Sequence, residues 1–135
     1  MITLKEGLLN KKNINNITQP HLTEYKKSDL KSGDVVVFHD KTLAVYIENS
    51  NDTFKSIYDW FVKNLGIFLC FYPYDLSNKW QYAPVDEHYD QNLKCSFKNL
   101  TVEHVYPRMV PKNLLKNENM LYNWMKDNYS TLTNS

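Results

Sequence analysis

Arginine is almost absent from this chain of 135 residues: Arg108 is the only one, so nearly all of the basic side chains are lysine. Arginine is the side chain that best forms bidentate contacts with phosphate and guanine. The formal net charge is only +1, whereas binding to duplex nucleic acid depends on neutralising many phosphates. The composition therefore argues against a protein that binds double-stranded nucleic acid.

Cysteine is rare as well. Cys70 and Cys95 are the only two, and their spacing fits no zinc motif. Cys70 lies inside the apolar run IFLCFY, where a thiol behaves as a small buried hydrophobe. We expect two free thiols, no metal site and no cofactor.

Long apolar runs and catalytic signatures are also missing. No segment approaches the ~20 apolar residues that a membrane span needs, and the opening MITLKEGLL lacks the features of a secretory signal. Only three glycines are present, and the chain contains no Gly-rich phosphate loop, GxSxG or HExxH motif. We therefore expect a cytoplasmic protein that does not enter a membrane.

Residues 31–47, KSGDVVVFHDKTLAVYI, give the clearest structural signal. They predict two strands, over 35–39 and 42–48, joined by a tight turn. The first strand is apolar on both faces, which indicates a central strand covered on both sides. Further strands are expected over residues 67–72, 79–83, 93–97 and 101–106.

Two segments have helical periodicity. Apolar residues spaced at i, i+3, i+4 and i+7 predict a helix over 53–65, and a second amphipathic helix is expected over 111–129. A chain of this length can bury one core, so residues 25–135 should form a single domain. The polar, Asn-rich residues 1–24 should form a separate N-terminal arm.

The densest polar cluster is Asp86, Glu87, His88 and Asp90. Carboxylates beside an imidazole can carry out acid–base chemistry or bind a divalent cation. The alternative is an acidic, solvated loop between two strands, and the absence of glycine argues against a calcium loop of the EF-hand type.

Aromatic residues make up 14% of the chain, and several of them fall in or near the predicted strands. Such side chains can stack bases or hold a peptide, and they can equally serve as core packing. The candidate binding set is Tyr72, Tyr74, Trp80, Tyr82, Tyr89 and Tyr106.

The segment GDVVVFH also resembles the strand region of NlpC/P60-type and CHAP-type peptidases. Those enzymes need a cysteine nucleophile upstream of the histidine. Here both cysteines follow His39, so the peptidase interpretation lacks its nucleophile. The sequence favours a binding protein over an enzyme.

Three segments carry a family resemblance: residues 30–36 (LKSGDVV), 89–93 (YDQNL) and 101–106 (TVEHVY). Together they resemble small uncharacterised proteins of tailed bacteriophages that have an SH3-like barrel. The resemblance implies an α+β fold, namely a small SH3-like antiparallel β-barrel with the helix over 53–65 inserted and the helix over 111–129 at its C-terminus. It implies no particular activity.

These observations lead to one functional hypothesis and two alternatives. The leading one is a non-enzymatic phage-type accessory protein that acts by protein–protein interaction with a host protein or with itself, homo-oligomers included. The first alternative is a structural component of a virus particle, which would make the location the virion. The second is binding of single-stranded nucleic acid or nucleotides through the aromatic strands.

Overall fold

The computed structural model describes residues 25–48, 66–72 and 81–133. Five antiparallel strands form one sheet in the order β4-β3-β2-β1-β5. The strands are β1 (Val35–Phe38), β2 (Leu43–Glu48), β3 (Gly66–Phe71), β4 (Gln81–Pro84) and β5 (Val102–Tyr106). The α-helices are the single turn α1 (Val85–His88) and the long α2 (Glu118–Thr133). The 3-10 turns are Lys27–Asp29, Lys98–Leu100 and Lys112–Lys116.

The sheet is buried on both faces, as the valine-rich first strand predicts. Val35 and Val37 of β1 belong to a core that includes Leu121 and Met125 of α2. Val36 and Phe38 point the other way, into a second core formed with α1 and the segments on that side. The α+β fold class and the paired β1 and β2 are thus confirmed.

The sheet is open among the described residues. β4 and β5 occupy its two edges, and no ladder joins them in the part of the chain that the structure describes. The strand expected over 93–97 was wrong: this stretch makes only a single bridge, Tyr89 to Cys95. Closure into an SH3-like barrel is therefore not confirmed.

A β-bulge explains the spacing of valines in β5. Val37 pairs with His104, but the next residue, Phe38, pairs with Val102, so Glu103 is the extra residue. A regular strand would send Val102 and Val105 to opposite faces because they are three residues apart. The bulge lets both enter the same core.

The C-terminal helix begins later than its periodicity predicted. Residues 112–116 form a 3-10 turn, and the α-helix starts at Glu118. The side-chain oxygen of Asn117 accepts a hydrogen bond from the Met120 backbone N–H at 3.0 Å, which caps the new start. At the other end the helix continues to Thr133, because Leu132 is buried and its carbonyl accepts the Tyr106 hydroxyl at 3.0 Å.

Asp34 is a buried carboxylate that links distant parts of the chain. It is wholly buried, and it accepts the backbone N–H of Lys31 at 2.9 Å and that of Arg108 at 2.6 Å. The Tyr25 hydroxyl donates to the same carboxylate. These bonds join the turn before β1 to the loop after β5.

Gly33 strengthens the same junction. Its φ is 97°, and a Cβ added there would lie 2.8 Å from the Val110 carbonyl oxygen. The Gly33 carbonyl in turn accepts the Val110 N–H at 3.0 Å. Glycine is required here because the two backbones approach too closely for a side chain.

Two sequence predictions lie outside the described residues: the arm over 1–24 and the helix over 53–65. Within the described ranges, no helix combines the length and the apolar character needed to cross a membrane.

From the hydrogen bonds that Asp34 accepts, we expect a large loss of stability in Asp34→Ala. Removing the carboxylate leaves the backbone N–H groups of Lys31 and Arg108 without their acceptor and removes the bond from Tyr25, which should cost about 3 kcal/mol or more. Urea unfolding measures this loss, with Asp127→Ala on the exposed face of α2 as the control. A loss no larger than that of the control would show that the junction contributes little.

Cys70 gives a prediction for alkaline pH. Burial raises the pKa of its thiol to about 12, whereas the thiol of an unfolded chain titrates at about 8.5. The folded state therefore holds this proton more tightly. The resulting stability is fully present below about pH 8.5 and is lost as the pH rises towards about 12.

We expect the free energy of unfolding to fall less steeply for Cys70→Ala than for the unaltered protein between about pH 9 and about pH 11. Cys95→Ala changes a half-buried cysteine and serves as the control. Buried tyrosines add their own losses only above about pH 10. Equal slopes for the unaltered protein and Cys70→Ala would contradict the assignment.

Candidate functional site

Residues 90–101 form an irregular loop between α1 and β5 that presents Phe97 to solvent. Its side chain is 63% exposed, more than Tyr82 at 41% or Met120 at 45%, the other exposed large apolar side chains of the described residues. We call residues 90–101 the Phe97 loop. Its tip carries the most conspicuous apolar group on the described surface.

The first half of the Phe97 loop is fixed by one carboxylate and one buried anchor. The Asp90 carboxylate oxygen Oδ1 accepts the backbone N–H groups of Asn92 at 2.8 Å and Lys94 at 3.0 Å. Between them Leu93 has a φ of 62°, and its side chain is completely buried. A left-handed leucine is unfavourable by itself, so burial of the side chain and the bonds to Asp90 stabilise it.

The second half is fixed by bonds on both sides of Phe97. Before it, the Cys95 N–H donates to the Thr101 hydroxyl oxygen at 3.1 Å. After it, the Phe97 carbonyl accepts the Leu100 N–H at 2.9 Å, and the Leu100 carbonyl accepts the Tyr89 hydroxyl at 2.6 Å. The exposed ring therefore stands on a backbone that is already ordered.

One polar side chain lies beside the ring, and others are exposed on the neighbouring segments. The His88 imidazole lies with its centroid 6.2 Å from that of Phe97, and Lys98 follows Phe97 directly in an exposed position. Asp86 and Glu87 are exposed on α1. Protein interfaces commonly combine an apolar centre with polar residues at their edge.

The four residues of the predicted polar cluster have different surroundings. His88 is half-buried beside Phe97, and the two carboxylates of α1 face solvent. Asp90 is exposed, and its carboxylate accepts two N–H groups of its own loop. In the described ranges, no group of three or more His, Cys, Asp or Glu side chains could hold a metal ion.

The four described members of the predicted aromatic set do not share one surface. Tyr89 is buried in the core on the α1 side and Tyr72 packs against that core, whereas Tyr106 is fully buried on the α2 side. Tyr82 lies on the edge strand β4, paired with Leu69. Tyr74 and Trp80 lie outside the described residues.

Burial shifts the titration of two tyrosines of this set. It raises the pKa of Tyr72 to about 12 and raises that of Tyr89 well above its usual range. The Tyr89 hydroxyl donates to the Leu100 carbonyl at 2.6 Å.

A second polar group surrounds the Glu103 bulge. The Glu103 carboxylate accepts a hydrogen bond from the ammonium group of Lys41. It also lies 3.2 Å from His39 Nδ1 and 3.7 Å from His104 Nε2. The hydrogen bond from Lys41 holds the pKa of Glu103 below its usual range. These contacts join the β1–β2 turn to the bulge of β5.

Sequence reasoning missed Phe97 because it assigned this residue to a strand over 93–97. The signal that could have corrected this is Asp90 followed by Asn92, since an Asp side chain commonly bonds the N–H two residues later and starts a turn. Nothing in the local pattern showed that the Leu93 side chain would be buried.

Comparison of the chain with protein-family models, with curated proteins and with solved structures gives no match.

The bond from Tyr89 to Leu100 predicts a local effect of Tyr89→Phe. Removing the hydroxyl should cost about 1 kcal/mol of stability because the buried acceptor loses its partner. We also expect faster amide hydrogen exchange at residues 97–101, measured by NMR. Lys98→Ala removes an exposed side chain from the same loop and is the control; equal exchange rates in the two variants would contradict the role of Tyr89.

Proposed function

We propose that this protein is a non-enzymatic binding module whose partner is another protein, and that Phe97 is the anchor of the contact. The observation that carries the proposal is the 63% exposure of Phe97 on a loop ordered by bonds at Asp90, Thr101 and Tyr89. An exposed aromatic ring that inserts into an apolar pocket of the partner would become desolvated at the centre of the interface.

The order of the loop supports this proposal on energetic grounds. Binding costs free energy when side chains and loops must be fixed, and a loop that is already fixed avoids much of that cost. Binding energy is concentrated in a few large, well-packed side chains, and Phe is among those enriched at interfaces. The exposed Asp86 and Glu87 on α1 and Lys98 on the loop supply charges of both signs for orienting the partner.

The proposal includes a phage-type role, in the cytoplasm of an infected bacterial cell or in the virion. It is supported by the resemblance carried by residues 30–36, 89–93 and 101–106. Residues 30–36 lead into β1 and residues 101–106 contain β5, and these two strands are paired. An SH3-like ancestry of the sheet is part of the same proposal.

A role in a virus particle differs only in the identity of the partner, which is then a second copy of this chain or another particle protein. Such a contact can use the same anchor. Recovery of the partner from infected cells or from purified particles distinguishes the two locations.

The proposal predicts that Phe97→Ser removes partner binding without destabilising the fold. Loss of a central anchor should cost about 2 kcal/mol or more of binding free energy. The measurement is a pull-down from infected-cell lysate, treated with nuclease, followed by titration calorimetry with the recovered partner. Because the ring is mainly solvent-exposed, the melting temperature should change little.

Met120→Ser is the matched control because it removes another exposed large apolar side chain, from the start of α2. The proposal requires that this variant keep the partner and that Phe97→Ser lose it. Equal recovery by both variants, or recovery of nucleic acid alone, would contradict it.

A further inference from the structure

The Phe97 loop precedes β5, and a second surface lies where the chain leaves β5. It is a cleft of about 380 Å³ between the turn before β1, the end of β2 and the loop after β5. We call it the Arg108 cleft. Its lining residues are Lys31, Ser32, Glu48, Arg108, Val110, Pro111 and Lys112.

Arg108 is held in this cleft by its own backbone. Its φ is 49°, in the left-handed region that non-glycine residues rarely occupy. The Arg108 N–H donates to the buried Asp34 carboxylate at 2.6 Å, which stabilises that conformation. Strained backbone held by the surrounding structure is common at functional sites.

The guanidinium N–H donors of Arg108 remain largely available to a ligand. Its Nη1 atom lies 3.9 Å from Asp34 Oδ1, and 62% of the side chain is exposed. The contact with Asp34 is too long for a direct hydrogen bond. The base of the side chain is thus anchored while its planar donor edge remains accessible to a ligand.

Positive charge predominates on the lining of the cleft. Lys31 and Lys112 accompany Arg108, against the single carboxylate of Glu48. Glu48 is oriented by Ser32, whose hydroxyl oxygen accepts the Glu48 N–H at 2.8 Å and whose N–H donates to Glu48 Oε2 at 3.4 Å. The carboxylate of Asp34 is not part of the lining; it is wholly buried, and at 3.9 Å from the Arg108 guanidinium it offsets part of that positive charge.

We propose that the Arg108 cleft binds a phosphate monoester of a small hydroxylated molecule, of the size of a mononucleotide. The phosphate dianion matches the donor fork of Arg108 and the two lysines. Glu48 accepts a hydroxyl of the ligand, and Val110 with Pro111 provides apolar contact for its carbon skeleton. The volume is at the lower end of the range for small-molecule sites, which is about 300–1,000 Å³.

The choice of phosphate over carboxylate follows from the charges. Three cations line the cleft, and a phosphate dianion carries twice the charge of a carboxylate and three acceptor oxygens to pair with more than one of them. Lysines occur throughout this chain, but its only arginine lies in this cleft.

The test is an NMR titration of the whole chain with adenosine 5′-monophosphate, followed on the backbone amides. Adenosine and acetate serve as the controls for the base and for a simple carboxylate. We expect saturable shifts at Gly33, Arg108 and Val110 with the monophosphate alone. Arg108→Gln should weaken binding about tenfold or more, because charged hydrogen bonds are lost.

Three variants separate a site from general charge attraction. Arg108→Lys keeps the positive charge but loses the bidentate donor geometry of the guanidinium. This variant should also weaken binding, by a smaller factor than Arg108→Gln. Lys116→Gln removes an exposed cation outside the cleft and should leave the affinity unchanged. Phe97→Ser should leave it unchanged too, since this site does not depend on the proposed protein contact.

Several results would overturn the proposal. They are the absence of saturable shifts with the monophosphate, equal shifts with acetate, and equal weakening by Arg108→Gln and Lys116→Gln. Each of these would show that the cleft is a solvated basic surface without a preference for phosphate.

Discussion

The buried carboxylate of Asp34 is the constraint on which much of this structure depends. A charge without access to water is tolerated only when hydrogen bonds replace its solvation. Here the replacement comes from Lys31 and Tyr25, which precede Asp34 closely in the chain, and from Arg108, which lies 74 residues after Asp34. The carboxylate thereby fixes where β1 begins and how the chain leaves β5. Gly33 permits the close approach that these bonds require.

The two candidate surfaces depend on the same sheet but on different carboxylates. Asp34 holds the backbone of Arg108, which presents its side chain to a cleft after β5. Asp90 holds the turn that leads to Phe97 before β5. In each case a carboxylate accepts backbone N–H groups and supports a left-handed residue, Arg108 or Leu93. Because these supports are separate, loss of one surface need not affect the other.

Local sequence patterns predicted the parts of the fold that depend on local physics. The valine-rich segment before His39 specified a strand buried on both faces, and the pairing of β1 with β2 followed from the short turn between them. Two of the errors were local in origin, and one feature depends on a contact between residues distant in sequence. The strand expected over 93–97 was wrong because Asp90 holds a turn there with Leu93 in the left-handed region, and Asn117 moved the start of α2. Sequence alone could not show that the only arginine would lie in a cleft, since its partner is Asp34.

The most direct test of this account is native-state amide hydrogen exchange at Arg108. If Asp34 holds the Arg108 N–H as described, this amide should exchange only when the whole domain unfolds, as slowly as the amides of β1. Its position in an exposed loop after the last strand would otherwise give rapid exchange. Protection equal to that of Val36 is the predicted result. Exchange at the rate of an unprotected loop amide would contradict the central role of Asp34.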